Sequence, residues 1–188
     1  MLFLVGDEEA DRACGRSNSP AAMSTECAEE PRWLTDEERA AWLATAALMI
    51  TLPAALDARL QQEAGLTFFE YMVLSVLSER ADRTMRMTHI AAGVSASLSR
   101  LSHVATRLEE RGLLCRTRVA GSGRRTNAKL TELGYAKVVS AAPGHVTAVR
   151  DLLLDAARPS DLATLQRIGT AVAARISPER PFHHGITA

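Results

Sequence analysis

The chain has 188 residues, 47% of them hydrophobic, and its 22 Lys and Arg are balanced by 22 Asp and Glu. A chain of this length can bury a real core as one domain, or as one domain with an appended element. Zero net charge excludes a polycation that grips nucleic acid through its overall field, so any such role must come from local charge.

Residues 1–31 are acidic: Asp7, Glu8, Glu9, Asp11, Glu26, Glu29 and Glu30 outnumber Arg12 and Arg16, without helical period. They read as a disordered leader, and Met23, which opens MSTECAEEPRWLT, reads as a more natural start. The opening MLFLVG lacks the basic and apolar regions of a signal peptide. No apolar run is read as a membrane span. Cys14, Cys27 and Cys115 show no paired spacing, which fits a reducing, cytoplasmic compartment.

Thr35-Asp36-Glu37-Glu38 is a capping box that predicts a helix over 35–64. Trp42, Ala46, Met49, Leu52, Leu56 and Leu60 follow at helical spacing, Pro53 predicts a kink or a break, and Gly65 is the stop. This helix is apolar on more than one side, which asks for cover from a partner chain. Thr67 caps a second helix over 68–79, with Phe68, Met72, Val73, Val76 and Leu77 facing inward. Phe69 and Tyr71 are expected to serve the core, with a place nearer the surface or a cleft as the alternative. A loop is expected over 81–85, then a short helix over 88–92 that buries Ile90, a turn at Gly93, and N-caps at Ser95 or Ser97.

The next helix, 97–110, carries Leu98, Leu101, Ala105 and Leu108 at steps of three and four, so these are expected to face the core. The opposite face presents Ser99, His103, Thr106 and Arg107, with Arg100 at its flank and Ser97 at its start, and meets no acid before Glu109 and Glu110. Small hydroxyls allow close approach to a major groove, and Arg and His donate to base edges and phosphates. After Gly112, a strand over 113–119, a Gly-containing tip over 120–123 and a strand over 124–130 form a hairpin with Arg124 and Arg125 beside its tip. A basic finger of this kind suits a minor groove. Between Ser95 and Lys129, Arg100, Arg107, Arg111, Arg116, Arg118, Arg124, Arg125 and Lys129 are opposed only by Glu109 and Glu110.

Thr131 caps a long helix with Leu133, Ala136, Val139, Val146, Val149, Leu152 and Leu153 as apolar positions and a kink or break expected at Pro143-Gly144. Ser160 or Asp161 opens the last helix, whose apolar stripe is Leu162, Leu165, Ile168, Val172 and Ile176. Packing the first and last helices together, and against a second subunit, would cover both with a closed two-fold interface.

The order of elements, the run SRLSHVATRLEERGLL at 99–114 and the ending LTELG at 130–134 resemble the MarR family (multiple antibiotic resistance regulators) of winged helix-turn-helix proteins, over about 35–176. The family's wing carries Asp, one residue, Arg, three residues, an aliphatic, one residue, then Leu-Thr. Arg124 matches the Arg, Ala128 the aliphatic, and Leu130-Thr131 the Leu-Thr, while Ser122 stands in the place of the Asp. The resemblance implies a homodimer on a pseudo-palindromic operator, usually as a repressor. It also implies a small-molecule effector site between the dimerisation helices and the DNA-binding lobe.

The expected fold is mainly α (α+β): one domain over 32–177, with a winged lobe at 66–131, dimerisation helices at 35–64 and 132–177, and a frayed tail at 178–188. The expected DNA-contacting residues are Ser97, Ser99, Arg100, His103, Thr106, Arg107, Arg124 and Arg125. No phosphate loop, dinucleotide fingerprint or nucleophile elbow occurs, so no catalytic residue and no cofactor are expected. His183-His184 has no ligand partner at metal-binding spacing, so no metal is expected, and His145 reads as a surface or kink residue. Cys115, at the foot of the wing, reads as a small buried hydrophobe, with a redox sensor as the alternative. Two other functional classes stay open: an enzyme using the inter-helix cleft, and a winged protein-interaction module that has lost DNA.

Overall fold

The computed structural model describes residues 31–118 and 125–177. The leader before residue 31, the hairpin tip with Ser122 and Arg124, and the tail with His183 and His184 lie outside the described residues.

Helix α1, Asp36–Ala64, starts on Thr35, whose side chain accepts from the Glu38 amide while Glu38 reaches back to the Thr35 amide. Gly65 ends it in the left-handed region at φ 60°. The helix runs through Pro53 without the expected break. Only Leu56, Leu60 and Ala64 at its C-terminal end are buried, while Trp42, Leu43, Leu48, Met49 and Ile50 stay exposed. Contrary to the sequence expectation, α1 is long and apolar enough to cross a membrane by length and composition alone. The seventeen residues 40–56 contain no charged side chain.

Helix α2, Phe68–Ser78, begins with a second reciprocal capping box, Thr67 with Glu70. Val73, Leu74 and Leu77 are fully buried and Tyr71 nearly so. The segment read as a loop over 81–85 contains a short strand instead, β1, Thr84–Arg86. It is held from outside: Thr84 pairs with Lys129 and Arg86 with Asn127. Helix α3, Met87–Gly93, buries Ile90, and helix α4, Leu98–Glu110, follows. Strands β2, Leu114–Arg118, and β3, Thr126–Leu130, complete an antiparallel sheet in the order β1-β3-β2.

Thr131 caps helix α5, Glu132–Val149, which is continuous through Pro143-Gly144. One π-turn follows it at Arg150–Leu154. Gly134 fits where little else would: a Cβ there would collide with the Leu113 carbonyl. The Leu-Thr-x-x-Gly ending thus seats α5 directly on the base of the wing. Helix α6, Pro159–Ile176, starts one residue before the expected Ser160, because proline suits a first helical position whose amide is unpaired anyway.

The core joins the end of α1 to α2, α3, α4, the sheet and α5. On α4 the buried positions are Leu101, Val104, Ala105 and Leu108. Leu98, expected to face inward, is 49% exposed. At 100° per residue it lies at the edge of the stripe, and it sits in the first turn, beyond the reach of the core. Cys115 is likewise exposed rather than buried, because strand alternation turns Leu114 inward and Cys115 outward. His145 is not a surface residue. Its ring is half-buried against Tyr71 and Phe68, 4.5 and 6.0 Å between centroids, and burial holds its pKa below the usual value.

Candidate nucleic-acid interface

Helix α4 begins where Ser97 Oγ accepts from the Arg100 amide at 3.1 Å. Its buried stripe fixes which side is left for solvent. Ser99, His103, Thr106 and Arg107 are exposed together along the outer face, with Ser97 and Arg100 exposed at its N-terminal end. The arrangement expected from periodicity is therefore present on the folded helix.

The arginines on one flank of that face are tied to α2. The Arg100 guanidinium lies over the Phe69 ring, 4.3 Å from its centroid, a cation–π contact. Arg107 and Arg111 approach the Glu70 carboxylate at 3.5 and 3.4 Å, and Arg111 also donates to the Gly65 carbonyl at 2.9 Å. Glu70 is only 5% exposed. A buried carboxylate is costly unless charge and hydrogen bonds compensate, and here two guanidiniums and the Thr67 amide do so. Glu70 was missed by sequence reasoning. The Thr67-x-x-Glu70 spacing was the available signal for its capping role, but its arginine partners come from another helix.

The other flank is tied to the wing. Arg116 on β2 grips Glu109 through two side-chain hydrogen bonds of 2.7 and 2.9 Å and donates its amide to the same carboxylate at 2.8 Å. These bonds hold the Glu109 carboxyl below its usual pKa. Arg116 also donates to Thr106 Oγ1 at 3.1 Å, and that hydroxyl donates to the Ser102 carbonyl. One of the two acids that oppose the basic patch is thus spent on fixing the wing's angle to the helix. Arg125, at the start of the returning strand, is exposed. Arg124 lies outside the described residues.

Two open clefts flank α4. One, of about 590 Å³, lies between α4 and the start of α2, with Asp57 of α1, Thr67, Phe69, Arg100, His103 and Arg107 on its walls. The other, of about 560 Å³, lies between α3, α4 and the wing. Among the described residues, no three His, Cys, Asp or Glu side chains come together in a way that could hold a metal ion.

No protein-family model matches the chain, and no curated protein matches it. Solved structures do. Sco3205, a MarR family transcriptional regulator from Streptomyces coelicolor solved in complex with DNA, is 36% identical with a TM-score of 0.76, over 82% of this chain and 98% of that one. AbsC, a MarR family transcriptional regulator from the same organism, is also 36% identical, with a TM-score of 0.74 over 79% of this chain and 100% of that one. Sco5413, again from Streptomyces coelicolor, shares the fold at 19% identity, with a TM-score of 0.66 over 77% of this chain and 99% of that one. Identity at this level over nearly the whole of Sco3205 and AbsC, on a sheet and helix order that the residues themselves dictate, places the protein: the chain belongs to the MarR family of transcriptional regulators.

Proposed function

We propose that the protein is a sequence-specific, double-stranded-DNA-binding transcriptional regulator that works as a homodimer on a pseudo-palindromic operator. The observation that carries this reading is the outer face of α4: hydroxyls, an imidazole and guanidiniums stand exposed together on a helix whose angle to the wing is fixed by Glu109 and Arg116. A relative 36% identical was solved on DNA, which supports the same use of the lobe here.

In this reading Ser99, His103 and Thr106 meet base edges in the major groove, while Ser97, Arg100 and Arg107 contact flanking phosphates. Arg124 and Arg125 reach the adjacent minor groove from the wing. The domain runs over 32–177: the lobe at 66–131 binds DNA, and the helices at 35–64 and 132–177 pair two subunits. Dimerisation explains the exposed apolar faces of α1 and α6, including the α1 stretch apolar enough for a membrane. Two-fold symmetry then sets half-sites about one helical turn, roughly 10 base pairs, apart. The protein acts in the cytoplasm, where its operator is.

The mode of action is repression released by a small effector. The cleft of about 590 Å³ between α4, the start of α2 and Asp57 of α1 suits such a molecule, because Arg100, His103 and Arg107 serve both the cleft and the groove-facing side. An occupant would compete directly with DNA. A gel shift on the DNA upstream of the protein's own gene tests the reading: a discrete, salt-sensitive complex is expected, and no complex in dilute buffer would reject it.

A further inference from the structure

Among the described residues of the lobe, Leu98 is the one large apolar side chain left exposed, at 49%. It stands in the first turn of α4, with Ser102 one turn further along the same side. Both open into the cleft of about 560 Å³ between α3, α4 and the wing, which Arg86, Thr88, Arg116 and Arg125 also line. No acidic residue lines that cleft among the described residues. Arg116 is committed to Glu109, whereas Arg86 and Arg125 are exposed.

An apolar side chain among hydroxyls and cations is poorly suited to a bare phosphate and well suited to one particular base. In the major groove the thymine C5-methyl is the apolar group that bases display, and apolar side chains contact it. We propose that Leu98 packs against a thymine methyl in each half-site, with Arg86 on a flanking phosphate. The inference rests on the DNA-binding reading above and deepens it, because it assigns a base to a residue whose helical phase had suggested the core.

The test uses the full chain and a duplex that the protein itself selects from a random-sequence pool. Each thymine of that duplex is then replaced in turn by deoxyuridine, which lacks only the methyl. The wild-type protein is expected to lose roughly fourfold in affinity at one symmetry-related position of each half-site, about the worth of one buried methyl. Leu98→Ala is expected to bind the thymine duplex about as weakly as wild type binds the deoxyuridine duplex, and to ignore the replacement. Should Leu98→Ala bind no duplex at all, Leu98→Met is expected to restore both binding and the methyl preference. A wild-type protein indifferent to every replacement, or a Leu98→Ala or Leu98→Met protein that departs from these outcomes, overturns the proposal. A wild-type protein that selects no duplex defeats the DNA-binding reading, and this proposal with it.

Discussion

The lobe and the terminal helices treat their apolar residues in opposite ways. Within 66–131, Leu66, Leu74, Leu77, Ile90, Leu101, Leu108, Leu114 and Leu130 are all essentially sealed from solvent inside one chain. On α6, Leu162, Leu165, Ile168, Val172 and Ile176 are all exposed, as are Trp42, Leu43 and Ile50 on α1. Burying a side chain of this size is worth roughly 1.5–3 kcal/mol, so a stripe of five left in water is a strong demand for cover. The lobe buries its apolar side chains within a single chain, and the long helices leave theirs without cover in one.

The largest effect should come from placing charge on that stripe. Ile168→Glu is expected to weaken dimerisation at least a hundredfold by sedimentation equilibrium, since an unpaired buried charge costs several kcal/mol per copy, while the lobe keeps its fold. Leu101→Ala acts on the other region. It should destabilise the lobe by about 2–5 kcal/mol in urea unfolding and leave association among folded chains unchanged. If each substitution damaged both properties equally, the division would be wrong.

The pH dependence is smaller and separates two places. Burial makes the folded chain hold His145 neutral, below its ordinary pKa of 6.5. The unfolded chain therefore binds the proton first, and stability falls as pH drops below about 6.5 until the folded-state pKa is passed. Glu109 is also depressed, from 4.5. Its contribution is present above that value and is lost as pH falls through the folded-state pKa. His145→Gln should flatten the upper window of the urea midpoint against pH, and Glu109→Gln the lower one. A wild-type midpoint unchanged between pH 7.5 and 5.5 would contradict the burial of His145. The smallest change is Arg125→Ala, which should make the plot of log affinity against log salt shallower by about 0.9 for the loss of one phosphate-neutralising charge at the minor groove. An unchanged slope would remove Arg125 from the interface.

What could be read from the sequence follows the range of the forces involved. The caps at Thr35, Thr67, Ser97 and Thr131 act over three residues, and all four start helices as their spacing suggests. The polar face of α4 is set by one helix's own period. Strand β1 was hidden because its three residues are held by β3, far along the chain. Glu70 looked like one more helical acid until Arg107 and Arg111 arrived from α4. Leu98 shows the limit most clearly, since helical phase says which residues share a face but not how far the core extends beneath it. Of the kink or break expected at proline, no break occurs: α1 and α5 continue through Pro53 and Pro143.

The most direct measurement is the stoichiometry and affinity of the full chain on two duplexes, one with both half-sites of its operator and one with a half-site scrambled. Two subunits per duplex, a two-fold-symmetric footprint, and a large loss of affinity when either half is destroyed are expected. One subunit per duplex, or equal affinity for the intact and scrambled operators, would contradict it.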